Sequence, residues 1–210
     1  MSATPPFLGR PVGAKGEETR QRIIAAAMRC VAEVGYSRAT IRQIASAAQI
    51  TSASLYHYFP HKSELIKATF LELSEVTVPR LAEAADRVDG VLNKLMAVFD
   101  ESEQIMRDYP FAAAFDRAIR VESAEHLHLA ENSDTVFTAL RDVVAGIIEQ
   151  AGREGALGKD ADAESASNAI YALLRGLYEH AATEPEEYHA TMHALKLLIQ
   201  GRLFDYAKLA

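Results

Sequence analysis

Apolar side chains recur at helical spacing along almost the whole chain. The first clear stripe repeats every three or four residues and stops at Gly35, which is typical of a helix that ends in a left-handed cap. Its members are Ile23, Ala26, Ala27, Cys30, Val31 and Val34. A second long helix is predicted from residue 63 into the 80s, with Pro79 as a candidate kink. Another is predicted to begin after Pro110, and further helices are predicted over 91–108, 133–153, 162–183 and 185–204. No segment alternates with a period of two, so the pattern predicts an all-α fold.

Two short helices are predicted between Thr40 and Phe59. Thr40 followed by Gln43 fits a capping box, which satisfies the free N–H groups at the start of a helix. Residues 49–51 separate this helix from the next, which Thr51 or Ser52 can cap. The apolar face consists of Ile41, Ile44, Ala45 and Ala48 in the first helix and Leu55, Tyr58 and Phe59 in the second. Two short helices joined by a tight turn predict a helix-turn-helix.

The second short helix suits the major groove of DNA. Its outward positions carry short or polar side chains, which let the backbone approach the edges of the bases. These positions are Ser52, Ala53, Ser54 and His57, with Arg42 pointing the same way from the helix before. Thr40, Tyr56 and Lys62 are candidates for phosphate contacts, which fix the register of a protein on DNA.

The segment from Thr40 to Leu65 resembles the DNA-binding domain of the tetracycline-repressor (TetR) family. The shared pattern is T-x-R-x-I-A-x-x-A-x-I-T-x-x-x-L-Y-x-Y-F-x-x-K-x-x-L. The resemblance implies an N-terminal three-helix DNA-binding domain and a larger helical domain for ligand binding and dimerisation. We expect a flexible arm over 1–16, the DNA-binding domain over 17–63 and the larger domain over 64–210.

The resemblance also implies roles for individual residues. Base-reading positions are Arg42, Ser52, Ala53, Ser54 and His57, and phosphate-facing positions are Thr40, Tyr56, Tyr58 and Lys62. Tyr58 and Phe59 have the alternative role of packing the core of the head.

Two residues depart from the family pattern. Gln49 stands where the family usually has a glycine in the turn, and a positive φ there would cost glutamine about 1 kcal/mol. His61 stands where the family often has a serine or asparagine cap, with Glu64 able to reach back.

The last two predicted helices carry long apolar stripes. Their members are Ala166, Ile170, Leu173, Leu174, Leu177 and Ala181, then Tyr188, Met192, Leu195 and Ile199. In the resembling family these helices pair with their copies in a four-helix dimer interface. We therefore expect a homodimer through Ile170, Leu173, Leu174, Leu177, Ala181, Met192, Leu195 and Ile199. The alternative, a core within one chain, stays open, and Gly176 indicates a close helix approach in either case.

Aromatic and methionine side chains are concentrated between these two regions. The candidates for contact with a small apolar or aromatic effector are Met96, Phe99, Met106, Phe111, Phe115, Phe137 and Tyr171. Polar groups that could orient such a molecule are Arg117, Arg120, Glu122, His126 and His128. The alternative for each aromatic residue is ordinary core packing. The resemblance implies that effector binding selects a conformation whose two heads no longer fit the operator.

Composition and charge support a DNA-binding head. The chain has 210 residues, of which 49% are hydrophobic and 24% charged, as in soluble globular proteins. The net charge is −7, but residues 1–70 carry +5 and the remainder −12. A basic head on an acidic body attracts phosphates at one end only. There is one cysteine, no leader-like start and no long apolar run, so we expect a cytoplasmic protein.

Other chemistries have weaker signals. His189 and His193 have metal-binding spacing but no third ligand nearby, and the glycines near Lys159 lack the order of a phosphate loop. We expect no metal, no cofactor and no enzymatic activity. A regulator controlled by a protein partner, an activator, and a helical enzyme or cofactor carrier remain alternatives to a ligand-released repressor.

Overall fold

The structure, a computed structural model, describes residues 14–126 and 135–205 of the chain. All regular structure in these ranges is helical, which confirms the all-α prediction. The α-helices are α1 (Ala14–Val34), α2 (Ile41–Ala47), α3 (Ser52–Tyr58), α4 (Lys62–Asp86), α5 (Val91–Asp108), α6 (Ala112–His126), α7 (Thr135–Arg153), α8 (Ala163–Thr183) and α9 (Tyr188–Ile199), with a 3-10 turn at Pro185–Glu187 before α9. Most of the predicted arm and the candidate His128 lie outside the described residues.

One helix boundary differs from the pattern-based prediction. The last helix ends at Ile199 and not near residue 204, because Gly201 adopts a left-handed φ of +67°. The Arg202 N–H then donates to the Leu197 carbonyl at 2.8 Å, which closes a glycine-terminated helix end. Helix α4 runs through Pro79 for 25 residues, in agreement with the predicted bounds, and the kink at Pro79 stays a prediction.

Buried apolar residues form three clusters. The head cluster joins α1, α2 and α3 and includes Ile23, Ile44 and Leu55, each fully buried. The joining cluster packs α1 and α4 against α6 through residues such as Val31 and Phe115. The body cluster lies among α4, α5, α7, α8 and α9. Three clusters of this kind let the head keep its own core while it stays attached to the body.

Helix α4 passes through all three clusters. Leu65 belongs to the head cluster, Phe70 to the joining cluster and Leu81 to the body cluster. The predicted domain boundary at residues 63 and 64 falls in the first turn of this shared helix, so the exact division stays a prediction. No helix in the described ranges is long and apolar enough to cross a membrane.

Candidate nucleic-acid interface and effector cavity

Helix α2 begins with the predicted capping box. The Thr40 hydroxyl accepts a hydrogen bond from the Gln43 N–H at 3.2 Å, and the Gln43 side chain accepts one from the Thr40 N–H at 2.9 Å. This reciprocal pair satisfies two donors at the helix start and fixes where α2 begins. Arg42 lies exposed on the first turn of α2.

The turn between α2 and α3 contains the strained residue that the sequence indicated. Gln49 has a φ of +58°, the only positive value among the described residues other than glycine. Its N–H donates to the Ser46 carbonyl and the Ile50 N–H donates to the Ala45 carbonyl, the pattern of a Schellman motif. Glutamine therefore occupies a position that the motif usually gives to glycine, at a cost of about 1 kcal/mol.

Helix α3 displays the predicted polar face. The Thr51 hydroxyl caps it by accepting from the Ser54 N–H at 3.0 Å. Leu55 and Phe59 are buried in the head cluster and hold the helix in place. Ala53, Tyr56, His57 and Tyr58 are exposed, whereas Ser52 and Ser54 are half-buried. An exposed Tyr58 disagrees with the alternative that this ring packs the core, and Phe59 has that role instead.

Lys62 contacts Tyr36 in the turn between α1 and α2. Its Nζ donates to the Tyr36 carbonyl and lies 4.0 Å from the centroid of the Tyr36 ring. Burial lowers the pKa of this ammonium, and the nearby Glu122 carboxylate opposes that change. His61 precedes α4 without a side-chain cap.

An apolar cavity of about 60 Å³ lies in the body. Helices α4, α5, α7, α8 and α9 all contribute to its wall. The lining residues are Thr77, Leu81, Ser102, Ile105, Met106, Val136, Phe137, Leu140, Leu174, Tyr178, Tyr188 and Met192. Their only polar side-chain groups are four hydroxyls, so the cavity suits an uncharged molecule.

Two of the predicted effector contacts line this cavity, and the others that the structure describes do not. Met106 and Phe137 are in its wall. Phe99 is fully buried in the body cluster and Met96 packs against that cluster, while Tyr171 is half-buried elsewhere on α8. Phe111 and Phe115 belong to the joining cluster on the head side of α6, and Arg117 is exposed to solvent. Helical spacing shows that a face is apolar but not which neighbour covers it, so effector contact by these residues stays a prediction.

Thr77, Ser102 and Tyr178 line the cavity but were not predicted from the sequence as cavity residues. A usable signal was present, because Tyr178 follows Leu174 by four residues and Thr77 precedes Leu81 by four. Residues four apart share a helix face, so each hydroxyl lies beside a core leucine.

A charged cluster lies between α6 and α8, beside the part of α8 that lines the cavity. Asp116 is 3% exposed and accepts from Arg120 Nε at 2.8 Å, while a second Arg120 nitrogen donates to Glu179. Burial raises the pKa of the Asp116 carboxyl to about 6, although Arg120 opposes this. The Arg175 guanidinium lies 4.0 Å from the Phe137 ring centroid. The predicted polar candidate Arg120 is thus committed to an ion-pair network between two helices.

Comparisons with known proteins agree with this arrangement. Residues 23–69 match the sequence profile described as bacterial regulatory proteins, tetR family. The chain is 31% identical to the HTH-type transcriptional regulator TtgR of Pseudomonas putida over 78% of this chain and 80% of that protein. It is 27% identical to the regulator PksA of Bacillus subtilis over 80% of this chain and 81% of that protein. The chain belongs to the TetR family.

Among solved structures, the FadR regulator of Bacillus subtilis in complex with stearoyl-CoA is similar to this TetR-family chain with a TM-score of 0.70. The two are 19% identical, and the match covers 88% of this chain and 97% of FadR. At that identity the likeness shows the fold alone. Family membership by sequence makes the chain a DNA-binding transcriptional regulator with an N-terminal helix-turn-helix.

The predicted dimer contacts of this TetR-family chain divide into two groups. Ile170 and Ile199 are half-buried and Leu173 is 44% exposed. The five others are corrected to core residues, because a side chain buried in one copy has almost no surface left for another. These are Leu174, Leu177, Ala181, Met192 and Leu195, each less than 9% exposed.

One member of the histidine pair on α9 contacts a carboxylate of α5. His189 Nδ1 lies 2.8 Å from Glu103 Oε1 on α5. Across residues 14–126 and 135–205, no group of three or more His, Cys, Asp or Glu side chains is arranged to hold a metal ion.

Proposed function

We propose that the protein acts in the cytoplasm as a homodimeric repressor. In this proposal it binds a palindromic operator through its two heads and leaves the DNA when a small, uncharged, apolar or aromatic effector enters the body. The observation that carries the proposal is the exposed polar face of α3, held rigidly on the head cluster by Leu55 and Phe59.

The exposed face of α3 supports the assignment of base-reading roles. Ala53 and His57 are exposed, and Ser52 and Ser54 are half-buried and small. Small side chains let the helix enter the groove deeply, and His57 can reach a base edge from there. Arg42 on α2 joins this base-reading set, since it is exposed on the adjacent helix.

The phosphate contacts are proposed on the flanks of α3. Tyr56 and Tyr58 are exposed, with 51% and 37% of their surface free. Thr40 at the start of α2 and Lys62 at the start of α4 complete the set. Contacts of this kind position the head on the duplex without reading its sequence.

The outer faces of α8 and α9 support the proposed dimer. Leu173 and Leu198 are 44% and 40% exposed, large values for leucines on the last two helices. A Cβ at Gly176 would lie more than 4 Å from other described elements of the chain. Since a glycine inside a helix is usually explained by close packing, the element that approaches Gly176 is proposed to be α8 of a second copy.

The cavity chemistry supports an uncharged effector. Its wall offers hydroxyls from Thr77, Ser102, Tyr178 and Tyr188 and otherwise apolar groups. A cavity of about 60 Å³ is smaller than the roughly 300–1,000 Å³ of typical ligand sites, so effector entry must separate the surrounding helices. FadR, which shares the fold, was solved in complex with stearoyl-CoA, a ligand with a long apolar part.

A reporter assay tests the proposal. The DNA sequence that the purified protein enriches is placed in a bacterial promoter, and expression is measured with and without the protein across a library of neutral aromatic compounds and their charged analogues. Repression that neutral members relieve and charged analogues do not would support the proposal. Activation by the protein, or relief only by charged compounds, would contradict it.

A further inference from the structure

Glu122 lies on the side of α6 that faces the head. Phe115 and Ile119 on the same helix are fully buried in the joining cluster, against Met28 and Val31 of α1. Glu122 follows Ile119 by three residues and therefore continues this face toward the end of α1. Its carboxylate reaches the turn that connects α1 to α2, and Glu122 is not among the residues that line the body cavity.

The carboxylate of Glu122 binds the backbone of that turn. The Ser37 N–H donates to Glu122 Oε2 at 2.6 Å, and the Ser37 hydroxyl donates to the same oxygen. Burial alone would raise the pKa of Glu122, but these donors and the Tyr36 N–H lower it below its usual range. Successive backbone N–H groups around one carboxylate form an anion-binding nest.

Gly35 is shaped to admit this carboxylate. Its φ is +83°, and a Cβ at this position would collide with Glu122 Oε1. The backbone conformation favours glycine, and a Cβ would displace the Glu122 carboxylate from its present place beside the turn. The turn from Gly35 to Ser37 and the body helix α6 are complementary to each other.

Two proposed phosphate contacts depend on this turn. Thr40, the cap of α2, follows Ser37 by three residues, and the Ala39 between them is buried. Lys62 donates from Nζ to the Tyr36 carbonyl and lies over the Tyr36 ring. A shift of the turn relative to α6 would move Thr40 and release Lys62 together.

The opposite side of α6 is tied to the cavity-bearing helix. Asp116 and Arg120 form the ion-pair network that reaches Glu179 on α8, and the neighbouring Tyr178 lines the cavity. One helix thus connects the cavity wall with the turn that supports the phosphate contacts.

We propose that Glu122 is a positioning residue for DNA binding, whose carboxylate holds the Gly35–Ser37 turn against α6 and so fixes Thr40 and Lys62 relative to the body. This inference rests on the phosphate roles given under the proposed function. Glu122 does not touch DNA in this proposal. Its effect on affinity passes through the turn and through Lys62.

The test compares Glu122→Ala with Glu75→Ala, which removes the same charge from an exposed site on α4. The probe is the duplex that wild-type protein enriches most from random duplexes of about 30 base pairs, long enough for two half-sites. If Glu122 only repelled DNA, its removal would strengthen binding, as is expected for Glu75→Ala. A positioning role predicts roughly tenfold weaker binding for Glu122→Ala, in the range found for mutations along a coupled path. Ser37→Ala should weaken binding in the same direction but less.

A double-mutant cycle with Lys62→Ala separates positioning from general destabilisation. Lys62→Ala should flatten the salt dependence of binding by about 1 in slope for the wild type and have little further effect in the Glu122→Ala background. Glu122→Gln keeps an acceptor oxygen and should therefore retain most of the DNA affinity. This variant provides a second measurement in case Glu122→Ala does not fold. Additive effects of the Glu122 and Lys62 substitutions, or tighter binding by Glu122→Ala, would overturn the positioning role of Glu122. Either result would leave the proposed operator binding intact. If wild-type protein enriches no duplex, the proposed operator binding fails, and this inference fails with it.

Discussion

Replacement of Gln49 by glycine should stabilise the protein. Gln49 has a φ of +58° in the Schellman turn after α2, and its side chain is exposed, so the substitution removes strain and no buried contact. The left-handed conformation costs a residue with a Cβ roughly 1–2 kcal/mol. Glycine loses about 0.5–1 kcal/mol of this gain through the greater freedom of the unfolded chain. The midpoints of the two ranges differ by about 0.75 kcal/mol, which is the expected net stabilisation.

Thermal and urea unfolding measure this difference. For a protein of this size, about 1 kcal/mol corresponds to a rise in Tm of roughly 2–4 °C. Ser46→Gly is the matched control, because Ser46 is also exposed on α2 but has ordinary helical geometry. That variant should be destabilised by roughly 0.5 kcal/mol or more, as for glycine in a helix interior. If Gln49→Gly is destabilised as much as Ser46→Gly, the left-handed turn and the strain argument are wrong.

Three further predictions concern DNA, assembly and pH. His57→Ala should change the base preference at one position of each half-site, whereas Lys62→Ala should weaken binding to all sequences alike. Sequencing of selected duplexes measures both effects. A change of base preference in Lys62→Ala would refute the phosphate role of Lys62. Leu173→Glu should give monomers in sedimentation. The control Leu92→Glu should not, although Leu92 on α5 is 45% exposed and Leu173 is 44% exposed. Equal behaviour of the two variants would count against the α8 interface. Burial raises the pKa of Asp116 from 3.8 to about 6, so the folded state holds its proton more tightly than the unfolded state. Relative to Asp116→Asn, the wild type should therefore lose stability as pH rises from about 4 to about 6. The loss is at most about 3 kcal/mol, at roughly 1.36 kcal/mol per pH unit. A stability difference between the two proteins that stays constant in urea unfolding across this range would contradict the prediction.

The head could be predicted from sequence because its determinants are local. The capping box at Thr40, the turn at Gln49 and the cap at Thr51 each involve residues within a few positions of one another. Local hydrogen bonds of this kind leave a direct pattern in the sequence. The exposure of α3 follows from them, because Leu55 and Phe59 define the buried side.

The body could be predicted as helical, but its contacts could not be assigned. Leu173 and Leu174 are adjacent and equally apolar, yet one is 44% exposed and the other 4%. Phe115 and Phe137 both look like cavity residues in the sequence, although Phe115 faces α1 and Phe137 faces the cavity. Periodicity gives the apolar face of a helix, while the partner of that face depends on packing between distant parts of the chain.

Glu122 shows the same limit for a polar residue. Its partner Ser37 is 85 positions away in the sequence. A carboxylate near the end of a helix is usually solvated, and nothing in its neighbours indicates a turn of the head as its ligand. The positive φ of Gly35 could be inferred from its place after α1, but the carboxylate that fills the space beside it could not.

The most direct test of the central claim is the sequence of the DNA that the protein selects. Purified full-length protein is incubated with sheared DNA of its source organism at a fixed, stated salt concentration, and the bound fragments are sequenced. The account predicts enrichment of a short inverted repeat, whose half-sites are spaced by about one helical turn or a multiple of it, as two α3 helices related by a two-fold axis require. Uniform recovery of all fragments, without any shared motif, would contradict the claim that this chain is a sequence-specific dimeric regulator.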